Sequence, residues 1–296
     1  MERLEVSEAT FSEIAVDNEK FRIDDEFFQK KYINAYRKVK SIKHTTLNEE
    51  LECLTDFHSN GSYETIAQEF DLLDAPDYAY MVRTTDLEMQ NYNDDVKYVT
   101  KSAYNFLSKS KVYGGEVLIN KIGTPGKSYL MPKLNRPVSL GMNLFMLRLK
   151  QDSKLTEPYL WTFLNTELGK NIISRKINGT VPLTIDKEAV KSLYIPVISN
   201  DCQKKIGNIV LSSQNKLKEA KELYAQAQNI LLEATDLKGF NSSKENKAIK
   251  NFKESFLTTG RLDAEYYQPK YEEIISKIKQ GEYDFLGNLE SIKKSI

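Results

Sequence analysis

The chain is poor in the residues that build metal centres and covalent staples. Among 296 residues there are two cysteines, Cys53 and Cys202, and two histidines, His44 and His58. So few ligands leave no cluster with zinc spacing and no disulfide framework, a pattern that suits a reducing cytoplasm. Long apolar runs are missing as well. No stretch reaches 18 consecutive apolar residues, and the opening MERLEVSEAT is acidic without an apolar segment. The expectation is a soluble cytoplasmic protein. Net charge is also lacking, since 42 Lys and Arg balance 42 Asp and Glu. A neutral chain gains little from non-specific attraction to a polyanion.

The balance hides an uneven distribution. Residues 1–100 hold 11 basic and 22 acidic side chains, whereas residues 101–150 hold 9 basic side chains and Glu116 alone. Such a local basic block can dock a polyanion even though the whole is neutral, or it can be a solvated face. It contains Lys121-Ile-Gly-Thr-Pro-Gly-Lys-Ser128, the last three residues of which match a phosphate-binding G-x-x-x-x-G-K-[ST] loop. The first glycine of that pattern would fall at Lys121. The following SYLMP reads as extended, whereas a phosphate loop opens a helix whose N-terminus faces the phosphates. Nucleotide binding is therefore rejected.

Forty per cent apolar residues suffice for a core. Short runs rich in β-formers at 78–83, 116–122, 142–149 and 192–198 predict strands. Helical spacing predicts helices over 101–109 and 157–176, the second burying Tyr159, Phe163, Leu164, Leu168 and Ile172. From Gln203 to Leu237 proline is absent and Gly207 is the sole glycine. There, Ile206, Val210, Ser213, Leu217, Ala220, Tyr224, Ala227 and Leu231 follow the 4-3 alternation of a coiled-coil seam. The fold class expected is α+β: a mixed α/β domain over 1–200, followed by a long coiled-coil-like helix over 201–237. A polar linker over 238–255 and an arm over 256–296 complete the chain.

The arm repeats an earlier segment. FRIDDEFFQKKYINAYRKVK (21–40) aligns with GRLDAEYYQPKYEEIISKIK (260–279) at an offset of 239, with eight identities that are mostly polar. A period this long means a duplicated unit rather than a solenoid.

Three further stretches bear on function: GGEVLINKIGTPGKSYLM, SLGMNLFMLRL, and EPYLWTFLNTELGKNIISRKINGTVPLTIDKEAVKSLYIPVISNDCQKKIGNIV. Taken in this order and with the duplication, they resemble the specificity subunit of type I restriction–modification systems. Glu116 stands where that family usually has Asp, and Asn200-Asp201-Cys202 replaces a more proline-rich lead into Gln203. The resemblance implies a target-recognition domain that reads one half of a split target in double-stranded DNA. The long helix would be a spacer pairing with another such helix. Adenine methyltransferase subunits carrying S-adenosylmethionine would dock on the complex, a restriction subunit could join, and this chain would catalyse nothing.

Under that reading, Lys121 and Lys127 flank a turn near phosphates, with Arg175 and Lys176 as further backbone contacts. Arg83, Arg136, Asn178 and Thr180 are the candidate base readers. Ile206, Val210, Leu217, Tyr224 and Leu231 form the pairing seam, which in a half-subunit would give a homodimer through 203–237. The rival reading is a PD-(D/E)xK nuclease built on Asp77, Asp95 and Lys97. A methyltransferase is not supported, because neither N-P-P-[YF] nor D-P-P-[YF] occurs.

Overall fold

A computed structural model describes all residues except 1–5, 9, 16, 17, 19, 246 and 289–296. The chain divides into two compact units, one through Gln214 and one from Asn215 onward. Both helices and sheets build the first, and a long helix follows, as the sequence pattern predicts.

Among its described residues the first unit holds ten strands: β1 (His44–Thr46), β2 (Leu51–Asp56), β3 (Ala79–Val82), β4 (Lys97–Val99), β5 (Lys111–Val112), β6 (Val117–Asn120), β7 (Ser128–Leu130), β8 (Val138–Leu140), β9 (Leu144–Leu149) and β10 (Tyr194–Pro196). They form one four-stranded sheet in the order β2-β9-β6-β7, another in the order β4-β3-β8-β5, and a β1-β10 ribbon. All pairs are antiparallel except β3 with β8.

Side-chain alternation stacks these sheets into layers. On β9, Phe145, Leu147 and Leu149 enter one core, while Leu144 and Met146 enter another. On β6, Val117 and Ile119 join the first core, and Leu118 joins the second. The second core lies between the two sheets, since β3 supplies Tyr80 and Val82 and β8 supplies Val138 and Leu140. Ala79 and Met81 point the other way, toward Phe57, Ile66, Ala103 and Leu107. A strand buried on both faces reads as continuous apolar sequence, which is why VLIN and LFMLRL show no polar alternation.

The outer helical layer on the first core includes Lys30–Lys40, Glu157–Asn165 and Glu167–Ser174. The sequence predicts one helix over 157–176, and the structure breaks it at Thr166. That residue is extended (φ −69°, ψ 161°), and its hydroxyl accepts from Gly169 N at 3.1 Å to cap the second helix. At Gly169 a Cβ would lie 2.1 Å from Phe163 O, so the junction admits only glycine.

The long helix spans Asn200–Ala234 rather than 203–237. Gln203 is buried near its start: its Oε1 accepts from Thr156 N, and its Nε2 donates to Lys154 O and Ile198 O. Val210 belongs to the first core, and Ile206 packs against it.

The repeated segments fold alike. Arg22 pairs with Asp24 and Arg261 with Asp263, each at 2.6 Å. The same aspartates accept from Phe27 N and Tyr266 N. Phe27–Phe28 and Tyr266–Tyr267 make edge-to-face pairs at 5.1 and 5.0 Å. Helices then begin at Lys30 and at Pro269. No helix among the described residues is long and apolar enough to cross a membrane.

Candidate nucleic-acid interface

At the C-terminal ends of β3, β8 and β6, backbone hydrogen bonds stitch four loops into one edge. Gly141 N donates to Val82 O at 2.9 Å, and Lys121 N donates to Asn143 O at 2.9 Å. Ile185 N donates to Lys121 O at 3.1 Å, and Gly123 N to Leu183 O at 3.2 Å. The glycine turn thus lies between the 141–143 turn and the 178–184 loop. Gly123 and Gly126 hold φ near +85°, a conformation that side chains rarely adopt. The turn joins two strands of a hairpin, Ile119 facing Ser128, and no helix follows it.

The structure separates the candidate side chains. Lys121, Arg175 and Lys176 turn inward, with 9%, 6% and 4% of their surface exposed. Lys121 Nζ lies 2.8 Å from Asp56 Oδ2, and Lys187 Nζ lies 2.8 Å from Asp56 Oδ1. Arg175 stacks between Phe27 at 4.2 Å and Tyr36 at 4.5 Å. Their burial corrects the expectation that these three reach phosphates. A polar residue type marks a charge in sequence, but only the packed neighbours decide whether that charge faces water.

Burial raises the affinity of Asp56 for a proton, but hydrogen bonds from Lys121, Lys187 and Ser59 outweigh it and hold the carboxyl well below the usual range. His58, beside Lys121, is held below the ordinary imidazole range by burial and then by the Lys121 charge.

Arg83 donates to the buried Asp86 carboxylate at 2.7 Å and to Asp95 O at 2.5 Å. Tyr80 OH donates to the same Asp86, and burial, followed by that hydrogen bond, pushes the phenol up. Arg136 stacks on Tyr80 at 4.5 Å and donates to Tyr92 O. Asn178 Oδ1 accepts from Arg22 at 3.1 Å. These three are half-buried and fix loops in place. Lys127 and Thr180 face outward; Lys127 pairs with Glu88 at 2.7 Å, and that pair lowers the Glu88 carboxyl.

Of the seam residues, Ile206 and Val210 are used by their own domain. Leu217, Tyr224 and Leu231 are 41%, 67% and 62% exposed.

The nuclease constellation does not assemble. β3 and β4 run antiparallel with Ala79 opposite Val99 and Met81 opposite Lys97. Asp77 lies just before β3 and Asp95 just before β4. Among the described residues no group of three or more His, Cys, Asp or Glu side chains is placed to hold a metal ion. Lys97 pairs instead with Asp74.

One surface escaped the residue-by-residue reading. At the end of the sheets opposite the glycine turn, Tyr78, Tyr104 and Tyr113 alternate with cations. Lys101 Nζ lies 5.6 Å from the Tyr78 ring, Lys111 Nζ 4.6 Å from Tyr104, and Arg148 Cζ 4.7 Å from Tyr113. The excess of positive charge over 101–150 was its sequence signal.

A family model described as "Type I restriction modification DNA specificity domain" matches residues 48–229. Among solved structures, the chain is similar to a type I restriction–modification S subunit from M. genitalium, with 14% identity over 66% of this chain and 44% of that one and a TM-score of 0.44. It is also similar to an HsdS subunit from Thermoanaerobacter tengcongensis, with 14% identity over 65% and 45% and a TM-score of 0.37. A third likeness is to a chain from a structure of type I R-M system assembly and conformational transition, with 16% identity over 65% and 43% and a TM-score of 0.39. The chain spans less than half the length of each of these. No curated protein matches it. With well over half its length covered by the family match, the chain belongs to the type I restriction–modification DNA specificity family.

Proposed function

We propose that this chain selects a DNA sequence for an adenine-N6 methyltransferase and performs no chemistry itself. The observation that carries the reading is the stitched edge of four loops in a chain of the specificity family. Loops held by backbone bonds can differ in side chains without disturbing the sheets beneath, which is what a reader of variable sequence requires. Lys127 and Thr180 contact DNA from this edge, while Arg83, Arg136 and Asn178 hold its loops in register. S-adenosylmethionine belongs to the partner methyltransferase, and a restriction subunit joins where one is present.

The exposed Leu217, Tyr224 and Leu231 then pair with a second helix of the same kind. Two copies related by a two-fold axis would read an interrupted palindrome.

The test is to select a target from random duplexes with the chain bound to its methyltransferase, then measure affinity across a salt series. A strong preference for one bipartite sequence is expected. Equal affinity for all duplexes, or methylation or cleavage by this chain alone with methyl donor, magnesium and ATP, overturns the reading.

A further inference from the structure

The tyrosine and cation surface at the far end of the sheets has features that core packing does not require. Tyr78 and Tyr113 are 43% and 63% exposed, although a solvent-facing ring gains nothing from burial. The Tyr104 ring lies 5.6 Å from that of Tyr78, and burial followed by the neighbouring Tyr113 and Tyr78 pushes its phenol up. Among the described residues, neither Lys101 nor Lys111 has a carboxylate partner. Glu116, the only acid in the basic block, is already committed. It accepts from Arg148 at 3.0 Å and from the backbone N–H groups of Tyr113 and Gly114 at 2.8 and 2.7 Å. Arg148 also donates to Lys111 O, which joins β5 to the opposite sheet. Asp77 accepts from Tyr78 N and is the acid nearest the rim in sequence.

The register fixes where this surface lies relative to the loop edge. Tyr78 precedes β3 and Lys101 follows β4, at the end where Ala79 meets Val99. Arg83 and the stitched loops stand at the other end, about 20 Å away along the strands. One DNA strand carries a phosphate every 3.4 Å or so, so this separation is about six nucleotides.

We propose that Lys101, Lys111, Tyr78 and Tyr113 form a second docking site, for the phosphate backbone of duplex DNA flanking the bases read by the loop edge. The ligand class follows from the donors. Two unpaired ammonium groups and two phenol hydroxyls supply positive charge and hydrogen bonds to phosphate oxygens, and none is set to distinguish bases. The inference rests on the DNA-reading role proposed above and adds a site to it.

The experiment uses the full chain with its methyltransferase and a duplex carrying the selected target. Affinity is measured over a salt series for wild type, K101Q/K111Q, Y113A, and the control K38Q/K43Q, which removes equal charge from another exposed region. The patch double variant should bind at least about tenfold more weakly at ~0.1 M salt, and the log–log salt slope should shrink by about 2. Its preference for target over scrambled duplex should be unchanged, and Y113A should weaken binding to both alike. Circular dichroism identical to wild type shows that the surface changes leave the fold intact. If the patch variants bind like wild type, or the control loses as much as they do, the docking site is wrong while DNA reading stands. If wild type binds no duplex, the function proposed above fails as well.

Discussion

Lys121 Nζ and Asp56 Oδ2 stand 2.8 Å apart beneath the glycine turn, each side chain about one-tenth exposed. The lysine that sequence offers to phosphate is thereby the counter-ion of a buried aspartate, which Lys187 also engages. Removing Asp56 leaves two cations facing each other in a half-dry site. Asp56→Ala should cost about 3–5 kcal/mol of stability, and denaturant unfolding at neutral pH measures it.

The same pair sets an acid limb. The Asp56 carboxyl is held below its ordinary range in the folded chain, so the folded state binds this proton less readily than the unfolded one. Its contribution is complete above the unfolded carboxylate pKa, about 4, and is lost as pH falls through the lower folded value. Unfolding midpoints followed from pH 6 downward should fall more steeply in wild type than in Asp56→Asn. Parallel curves would show that the pair carries no such linkage.

Gln203 ties the start of the long helix to the recognition domain through three hydrogen bonds. Gln203→Ala strands Thr156 N and two carbonyls in a buried site, a cost of about 1–3 kcal/mol. Hydrogen exchange should accelerate at residues 200–210 before it does in β6 and β9.

Leu217→Glu with Tyr224→Glu should abolish pairing of the long helices while the first unit keeps its unfolding midpoint. Light scattering reports the mass. Dimers that persist in the double variant would place the pairing surface elsewhere.

Wild type and the Asp77→Ala and Asp95→Ala variants, alone or together, should all leave DNA uncut with magnesium. Lys97, the third member of that constellation, is paired with Asp74. Metal-dependent cleavage by wild type that either change abolishes would contradict this prediction.

Much of this architecture was legible in the sequence because local rules governed it. The strands at 79–82, 117–120, 144–149 and 194–196 fall within their β-rich runs, and the long helix follows its apolar seam. SYL forms the strand β7, as its extended pattern predicts, so no helix N-terminus follows the glycine turn. The repeat is equally local. Arg22–Asp24 and Arg261–Asp263 close the same two-residue pairing wherever the motif occurs.

The site was less legible. Lys121 and Lys127 look equivalent on either side of the glycines, yet one is buried and the other faces water. Lys121 opposes Asp56, 65 residues earlier, whereas Lys127 meets Glu88 on an open surface. Likewise Lys101, Lys111, Tyr78 and Tyr113 are scattered along the chain and meet only at the end of paired strands.

The sequence alone determined where four of the strands and the long helix lie, that one segment is repeated, and that positive charge gathers in residues 101–150, because backbone periodicity and composition act over short distances. Only the tertiary structure decided which cations remain in water and which neutralise buried acids. That outcome depends on strand register and layer packing, which bring residues far apart in sequence within a few ångströms of each other.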